Sequence, residues 1–112
     1  MLIRVVHCRK SDYDTYIGRG PCPKTGRLNN FGTPFKIGRD GSRPIVCVKF
    51  KAWLVTGNNF GCREATATKR QWILDHLEEL CGKVIACWCA PEDCHGNVYK
   101  ELLDNGDFRC IM

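Results

Sequence analysis

The sequence predicts an α/β fold: a single small domain spanning residues 1–112, with a mostly parallel or mixed sheet flanked by about three helices. Three short runs rich in strand-forming residues, at 2–6, 13–17 and 83–89, are the first observation behind this prediction. Helical patterns separate the second run from the third, and another follows the third. Helices between strands indicate crossover connections, which favour parallel pairing. A chain of 112 residues is long enough for one hydrophobic core and too short for two.

Residues 18–41 have the composition of a long loop. The segment is rich in Gly, Pro and Asn, which favour turns over regular structure. A loop of this length in a small domain is usually functional or disordered. Phe31 and Phe35 favour order, because side chains of this size would anchor the loop to the core.

Capping signals mark the helices. Ser42 followed by Pro44 predicts the start of the first helix, and Gly57 its end. Thr66 or Thr68 is expected to cap the second helix, with Gly82 just past its end. Three further predictions follow at the end of the chain: Asp93 capping the last helix, Gly106 ending it, and a short edge strand at 108–111.

Composition and charge narrow the functional classes. Nine cysteines could indicate a disulfide scaffold, but the number is odd and no export signal precedes them, so reduced thiols and a cytoplasmic location are expected. No apolar run approaches the ~20 residues of a transmembrane helix, and we expect no membrane partner. A net charge of +5 makes an anionic small-molecule ligand plausible.

Three thiols and an imidazole cluster where the third strand meets the last helix. Cys87 and Cys89 lie on one face of that strand, and Cys94 and His95 fall at the start of the helix. Carboxyl ends of strands in open α/β sheets are common ligand sites. The positive end of a helix dipole is expected to lower the pKa of Cys94 and to favour a neutral His95. Cys89, Cys94 and His95 are therefore the candidate catalytic residues, whereas Cys87 is more simply a core residue.

The long loop and its borders supply candidate ligand-binding residues. Glycines and arginines in this segment could hold an anion together with the helix start at Cys94. The candidates are Gly18, Arg19, Gly32, Pro34, Phe35 and Arg43.

The same segments carry a resemblance to a known family. Residues 13–19, with the tyrosine, isoleucine, glycine and arginine at 16–19, the run at 31–43 and the Cys/His stretch at 87–96 resemble domain-of-unknown-function family 4326. Thr33 departs from the family pattern, which usually has asparagine there, and residues 20–29 lengthen the loop. The second half more distantly resembles domain-of-unknown-function family 488. Both resemblances imply a pocket at the Cys/His junction.

Three functions compete for that pocket. The first is a small enzyme acting on a nucleotide-like or otherwise phosphorylated ligand, with Cys89 or Cys94 as nucleophile, His95 as acid or base, and Asp14 or Asp40 orienting it. The second is a zinc module, with zinc held by the Cys/His cluster, although adjacent Cys94 and His95 cannot easily reach one tetrahedral ion. The third is a nucleic-acid or protein binding module, supported by net charge and by aromatic residues among arginines.

Each candidate also has a simpler structural explanation. Trp88 is expected to be a core anchor, because a buried tryptophan removes on the order of 200 Å² from water. Arg19 and Arg43 could pair with nearby carboxylates, as exposed arginines ordinarily do. Cys47 and Cys81 fall in helical patterns and are expected to pack as small apolar residues.

Overall fold

The computed structural model describes residues 3–27, 29–88 and 94–104, and within them it contains a small parallel sheet with helices. The strands are β1 (Arg4–His7), β2 (Thr15–Tyr16) and β3 (Val84–Cys87), in the order β1-β3-β2. The helices are α1 (Arg43–Thr56), α2 (Ala67–His76) and α3 (His95–Asp104), and a 3₁₀ turn at Leu77–Leu80 follows α2. The predicted α/β class is confirmed.

Strand β3 occupies the centre of the sheet and pairs in parallel with both neighbours. Val5 lies opposite Ile85 on one side, and Tyr16 lies opposite Ala86 on the other. Residues 8–14 join the two outer strands, so they must cross β3. Cys8 and Tyr13 cluster with Ala86, whereas Ile85 belongs to the main core, so this connection covers the face opposite that core.

The helix ends follow the capping signals. Ser42 occupies the N-cap of α1 without a side-chain hydrogen bond, and Gly57 ends the helix with a φ of 85°, a left-handed conformation that glycine adopts without strain. Thr66, rather than Thr68, caps α2, because its side chain accepts a hydrogen bond from the Lys69 N–H.

The long loop is anchored to the core by aromatic side chains, as predicted. Phe31 and Phe35 are 3% and 1% exposed. The rings of Phe31 and Trp72 pack edge to face with their centroids 5.0 Å apart. The Tyr99 hydroxyl donates a hydrogen bond of 2.6 Å to the Phe31 carbonyl. These contacts fix the loop against α2 and α3, and so place its backbone at the edge of the sheet.

The cysteines differ in their oxidation state. Cys8, Cys22, Cys47, Cys62, Cys87 and Cys94 form no disulfide, whereas Cys81 is disulfide-bonded, so the expectation of reduced thiols is wrong for Cys81. The predicted cap at Asp93, the helix end at Gly106 and the strand at 108–111 lie outside the described residues. In the part of the chain that the structure covers, no helix is long and apolar enough to cross a membrane.

Candidate functional site

A cavity of about 210 Å³ opens at the carboxyl edge of the sheet, where β2 and β3 end and α3 begins. We refer to it as the junction cavity. Its lining combines apolar side chains with two arginines, three cysteines and one imidazole. It is lined by Gly18, Arg19, Thr33, Phe35, Ile37, Arg43, Val46, Cys47, Cys87, Trp88, Cys94 and His95.

Arg19 joins the end of β2 to the long loop. Its Nε donates to the Thr33 carbonyl at 3.0 Å, and one terminal nitrogen donates to the Phe35 carbonyl at 2.8 Å. Gly32 permits this approach, because a Cβ there would lie 3.2 Å from the Arg19 Cα. The guanidinium therefore positions the loop, and it brings a positive charge to the cavity wall without a carboxylate partner among the described residues.

His95 is a buried imidazole in the first turn of α3. Its Nε2 lies 2.6 Å from the Ile17 carbonyl oxygen, which can only accept, so Nε2 carries the proton and Nδ1 carries the lone pair. Burial is the main cause that lowers the His95 pKa to about 4; Arg19 and Lys69 lower it further, and the Ile17 carbonyl opposes them. The neutral imidazole expected from the sequence is confirmed, although burial rather than the helix dipole is the principal cause.

Cys94 is a protonated thiol, which corrects the expectation of a lowered pKa. Its Sγ lies 3.1 Å from the Sγ of Cys87, and the two thiols share a hydrogen bond. That hydrogen bond and burial raise the Cys94 pKa well above its usual value, while the N–H groups of Gly96 and Asn97 lower it less. The helix start acts in the expected direction but is outweighed, so Cys94 is a poor thiolate nucleophile.

The carboxylates expected to orient His95 are engaged elsewhere. Asp14 accepts a hydrogen bond from the Val84 N–H at 2.8 Å, at the opposite end of β3 from the cavity. Asp40 accepts from Arg39 and from the backbone of Lys36. The partner that orients His95 is instead the backbone carbonyl of Ile17.

Trp88 corrects another expectation, because it is 46% exposed rather than a core anchor. Its Nε1 donates to the Tyr16 hydroxyl at 2.6 Å, and the Arg9 guanidinium lies 4.8 Å from its ring centre. These contacts hold the indole at the mouth of the junction cavity. The sequence signal that could have indicated this is its place at the carboxyl end of a strand, where side chains commonly face a ligand site.

The structure brings most of the predicted site residues together. Gly18, Arg19, Phe35, Arg43, Cys94 and His95 line the junction cavity. Gly32 and Pro34 line an adjacent cavity instead, and Cys89 lies outside the described residues. Besides Cys87 and Trp88, which were expected in the core, the lining residues that the sequence did not predict are Thr33, Ile37, Val46 and Cys47, from the loop and from α1.

The described residues give no support to the zinc hypothesis. No three His, Cys, Asp or Glu side chains within them lie close enough together to hold a metal ion. The Cys94 thiol shares a hydrogen bond with the Cys87 thiol, while the Nε2 of the adjacent His95 donates to the Ile17 carbonyl. The described members of the predicted cluster are thus divided between two separate hydrogen bonds.

Comparison with known proteins agrees with the resemblance seen in the sequence. The family model described as "Domain of unknown function (DUF4326)" matches residues 4–105. The chain is also 32% identical over 104 residues to the "Uncharacterized 12.4 kDa protein in nrdA-td intergenic region" of Enterobacteria phage T4, a match that covers 92% of this chain and 79% of that protein. The more distant resemblance to family 488 is not shown. No solved structure is significantly similar to this chain.

Proposed function

This chain belongs to domain-of-unknown-function family 4326, and we propose that its junction cavity binds an anionic, nucleotide-like or otherwise phosphorylated small molecule. The observation that carries the proposal is the meeting of an exposed indole, Trp88, with the guanidinium of Arg19 in one cavity. An aromatic surface suits a planar base, and a cation without a carboxylate partner suits an anion.

The apolar lining supports the planar part of such a ligand. Phe35, Val46 and Ile37 face the cavity together with Trp88, and Ile37 is 52% exposed. Small-molecule sites are mostly apolar with a few polar groups that fix orientation. A planar ring placed against Trp88 would cover apolar surface that is otherwise in contact with water.

His95 supplies a directional polar contact. Its Nε2 proton is committed to the Ile17 carbonyl, and Nδ1 has no hydrogen-bond partner among the described residues. Because the fully buried polar side-chain atoms described here all have partners, Nδ1 keeps some accessible surface, and His95 lines the junction cavity. It can therefore accept a hydrogen bond from an N–H or O–H group of the ligand.

Binding fits this geometry better than a thiol-assisted hydrolase or transferase reaction at Cys94. Such a reaction needs a thiolate, and the Cys94 proton is retained by burial and by Cys87. The raised pKa therefore disfavours this residue as the nucleophile. Neutral His95 could still accept a proton at Nδ1, which is the acid–base role that the site leaves open to it.

A matched pair of charge-introducing variants tests the proposal. Ile37 and Ile45 are 52% and 48% exposed, but only Ile37 lines the junction cavity. Ile37→Asp should weaken binding of a nucleoside monophosphate at least about 10-fold by repelling the anion, measured by isothermal titration calorimetry. Ile45→Asp, near the start of α1, adds the same charge outside the cavity and should bind like the parent protein.

Native mass spectrometry and metal analysis of the purified protein complete the test. A retained nucleotide, or binding that is lost in Ile37→Asp alone, supports the proposal. Equal binding by both variants, or no binding of any nucleoside monophosphate, overturns it. One equivalent of zinc lost on Cys94→Ser would overturn it in favour of the metal module.

A further inference from the structure

A second cavity, of about 230 Å³, adjoins the junction cavity on its loop side. We refer to it as the loop cavity. Both cavities include Arg19 and Thr33 in their walls, so the hydrogen bond from Arg19 Nε to the Thr33 carbonyl lies at their border. The loop cavity is lined by Arg19, Gly20, Asn29, Gly32, Thr33, Pro34, Lys36, Glu64 and Lys69.

Positive charge collects in the loop cavity without matching negative charge. Lys69 Nζ donates to the Asn30 carbonyl at 2.9 Å and forms no ion pair among the described residues. Glu64 is the acidic residue of the lining, and its carboxylate pairs with Arg39 at 2.5 Å. Arg19, Lys36 and Lys69 therefore line a cavity in which the carboxylate of Glu64 is already paired with Arg39.

The positive charges of Arg19 and Lys69 repel each other. Burial lowers the pKa of Lys69, and the charge of Arg19 lowers it further. Like charges held near each other at a partly buried site raise the free energy of the unliganded protein. An anion between Arg19 and Lys69 would remove that repulsion and gain charge-assisted hydrogen bonds.

The sizes of the two cavities favour their joint use. Each is smaller than the ~300–1,000 Å³ typical of sites for drug-sized ligands, and only together do they reach that range. They also differ in character, since the junction cavity exposes Trp88 and Phe35 whereas the loop cavity collects cations. A ligand with a planar end and a strongly anionic end matches this division.

We propose that the loop cavity is the phosphate subsite of a nucleotide whose base occupies the junction cavity, with the phosphates held between Arg19 and Lys69. This inference rests on the proposed function, because it assigns the base to the same junction cavity. It adds a role for Lys69, which stands in the first turn of α2 and lies far from the Cys/His junction in sequence.

Calorimetric titrations with a nucleoside and its mono- and diphosphate test the inference. Lys69→Gln should weaken binding of the diphosphate about 10-fold and leave binding of the nucleoside unchanged. Lys69→Arg should restore diphosphate binding, because it returns the charge. Lys83→Gln removes one charge from an exposed residue outside both cavities and serves as the control.

The outcomes separate this inference from the proposed function. If the nucleoside mono- and diphosphate bind, and Lys69→Gln weakens their binding no more than Lys83→Gln does, the phosphate subsite is wrong and the proposal for the junction cavity stands. If neither nucleoside nor nucleotide binds, both are wrong. A single-stranded oligonucleotide that binds far more tightly than any mononucleotide, with strong salt dependence, would overturn the inference in favour of a polynucleotide site. Thermal unfolding of each variant identifies any loss caused by misfolding.

Discussion

His95 is the residue whose chemistry depends most on its surroundings. A free histidine gains a proton near pH 6.5, whereas burial keeps His95 neutral down to about pH 4. Between these values the unfolded chain binds a proton that the folded chain does not, so the folded state loses stability as the pH falls. Arg19 and Lys69 strengthen this effect, and the Ile17 carbonyl opposes it.

We predict that the free energy of unfolding decreases by about 2 kcal/mol through His95 between pH 7 and pH 5. His95→Gln keeps a side-chain N–H for the Ile17 carbonyl but cannot titrate, so most of this pH dependence should disappear. Urea denaturation at several pH values measures it. His76→Gln, at a half-buried histidine stacked on Trp72, is the matched control, because it removes a second imidazole and leaves His95 in place. If the unfolding free energy of His95→Gln depends on pH as strongly as that of the parent protein, the buried imidazole is not the source of the pH dependence.

Arg19 carries the second residue-scale prediction. Lysine has the charge but not the forked geometry needed to reach the carbonyls of Thr33 and Phe35 together. Arg19→Lys should lower the free energy of unfolding by about 1 kcal/mol and speed chymotrypsin cleavage after Phe31 and Phe35. Arg27→Lys, on an exposed residue of the same loop, should leave cleavage unchanged. Equal cleavage of both variants would contradict a role of the Arg19 side chain in holding the loop through the Thr33 and Phe35 carbonyls.

The sequence predicted residue identities in the site better than their chemical states. Gly18, Arg19 and His95 were located because motif spacing and a strand-to-helix junction are local features. The raised pKa of Cys94 was not predictable, because it depends on a hydrogen bond to Cys87 and on burial by distant segments. The exposure of Trp88 was missed for a similar reason, since alternation in a strand does not say which face lies uncovered at its end.

At the scale of elements, the first turn of α3 lies unusually close to the sheet. A Cβ at Gly96 would lie 2.9 Å from the Val5 Cγ1 and 3.1 Å from the Ile17 Cδ1. Glycine therefore allows α3 to approach β1 and the end of β2, which in turn brings His95 within reach of the Ile17 carbonyl.

We predict that Gly96→Ala lowers the free energy of unfolding by about 1–3 kcal/mol, because the added methyl group overpacks a buried contact. Urea denaturation provides the measurement. Asn97→Ala, at the next and exposed helix position, should change stability by less than about 0.5 kcal/mol. Similar effects of the two substitutions would contradict the close packing of α3.

Helices were easier to predict from the sequence than strands. Capping residues such as Ser42, Thr66 and Gly57 act within one turn of the chain, so local reasoning located the ends of α1 and the start of α2. Among the described residues, the run at 13–17 forms a strand only at Thr15–Tyr16 and the run at 83–89 only at Val84–Cys87, because pairing depends on a neighbouring strand that is distant in sequence. The division of the second helical pattern into α2 and a 3₁₀ turn was likewise not predicted.

At the scale of the whole molecule, the end of α3 is tied to the start of β1. Lys100 Nζ donates to the Ile3 carbonyl at 2.7 Å and to Asp104 at 2.6 Å, and Asp104 accepts from the Ile3 N–H at 3.2 Å. The two bonds to Ile3 join residues about one hundred positions apart, so they connect α3 to the residue that precedes β1.

We predict that Lys100→Met lowers the free energy of unfolding by about 1 kcal/mol and reduces amide-exchange protection in β1. Burial raises the pKa of the Asp104 carboxyl, but hydrogen bonds from Lys100 and from the Ile3 N–H stabilise its charge and lower the pKa overall. Lys100→Met therefore leaves the negative charge of Asp104 with fewer stabilising contacts. Lys83→Met, at an exposed position before β3, is the control. Unchanged protection of β1 in Lys100→Met would show that this contact does not hold α3 against Ile3 and β1.

The placement of the two cavities is also a property of the whole molecule. The long loop, the start of α1, the end of β3 and the start of α3 all contribute to the junction cavity, although they are spread from residue 18 to residue 95. Sequence reasoning could join the Cys/His junction to the glycine and arginine loop only as a hypothesis. Lys69 was not associated with that loop, because only the packing of α2 brings it to Arg19.

The most direct test of the central claim is a two-dimensional ¹H–¹⁵N NMR titration of the protein with nucleoside mono- and diphosphates. The account predicts shifts at the Gly18, Thr33 and Ile37 amides and at the Trp88 indole, with diphosphates extending them to Lys69. Signals of Tyr13 and Cys22, which pack on the other face of the sheet, should remain in place. No shifts with any nucleotide, or shifts confined to that other face, would contradict it.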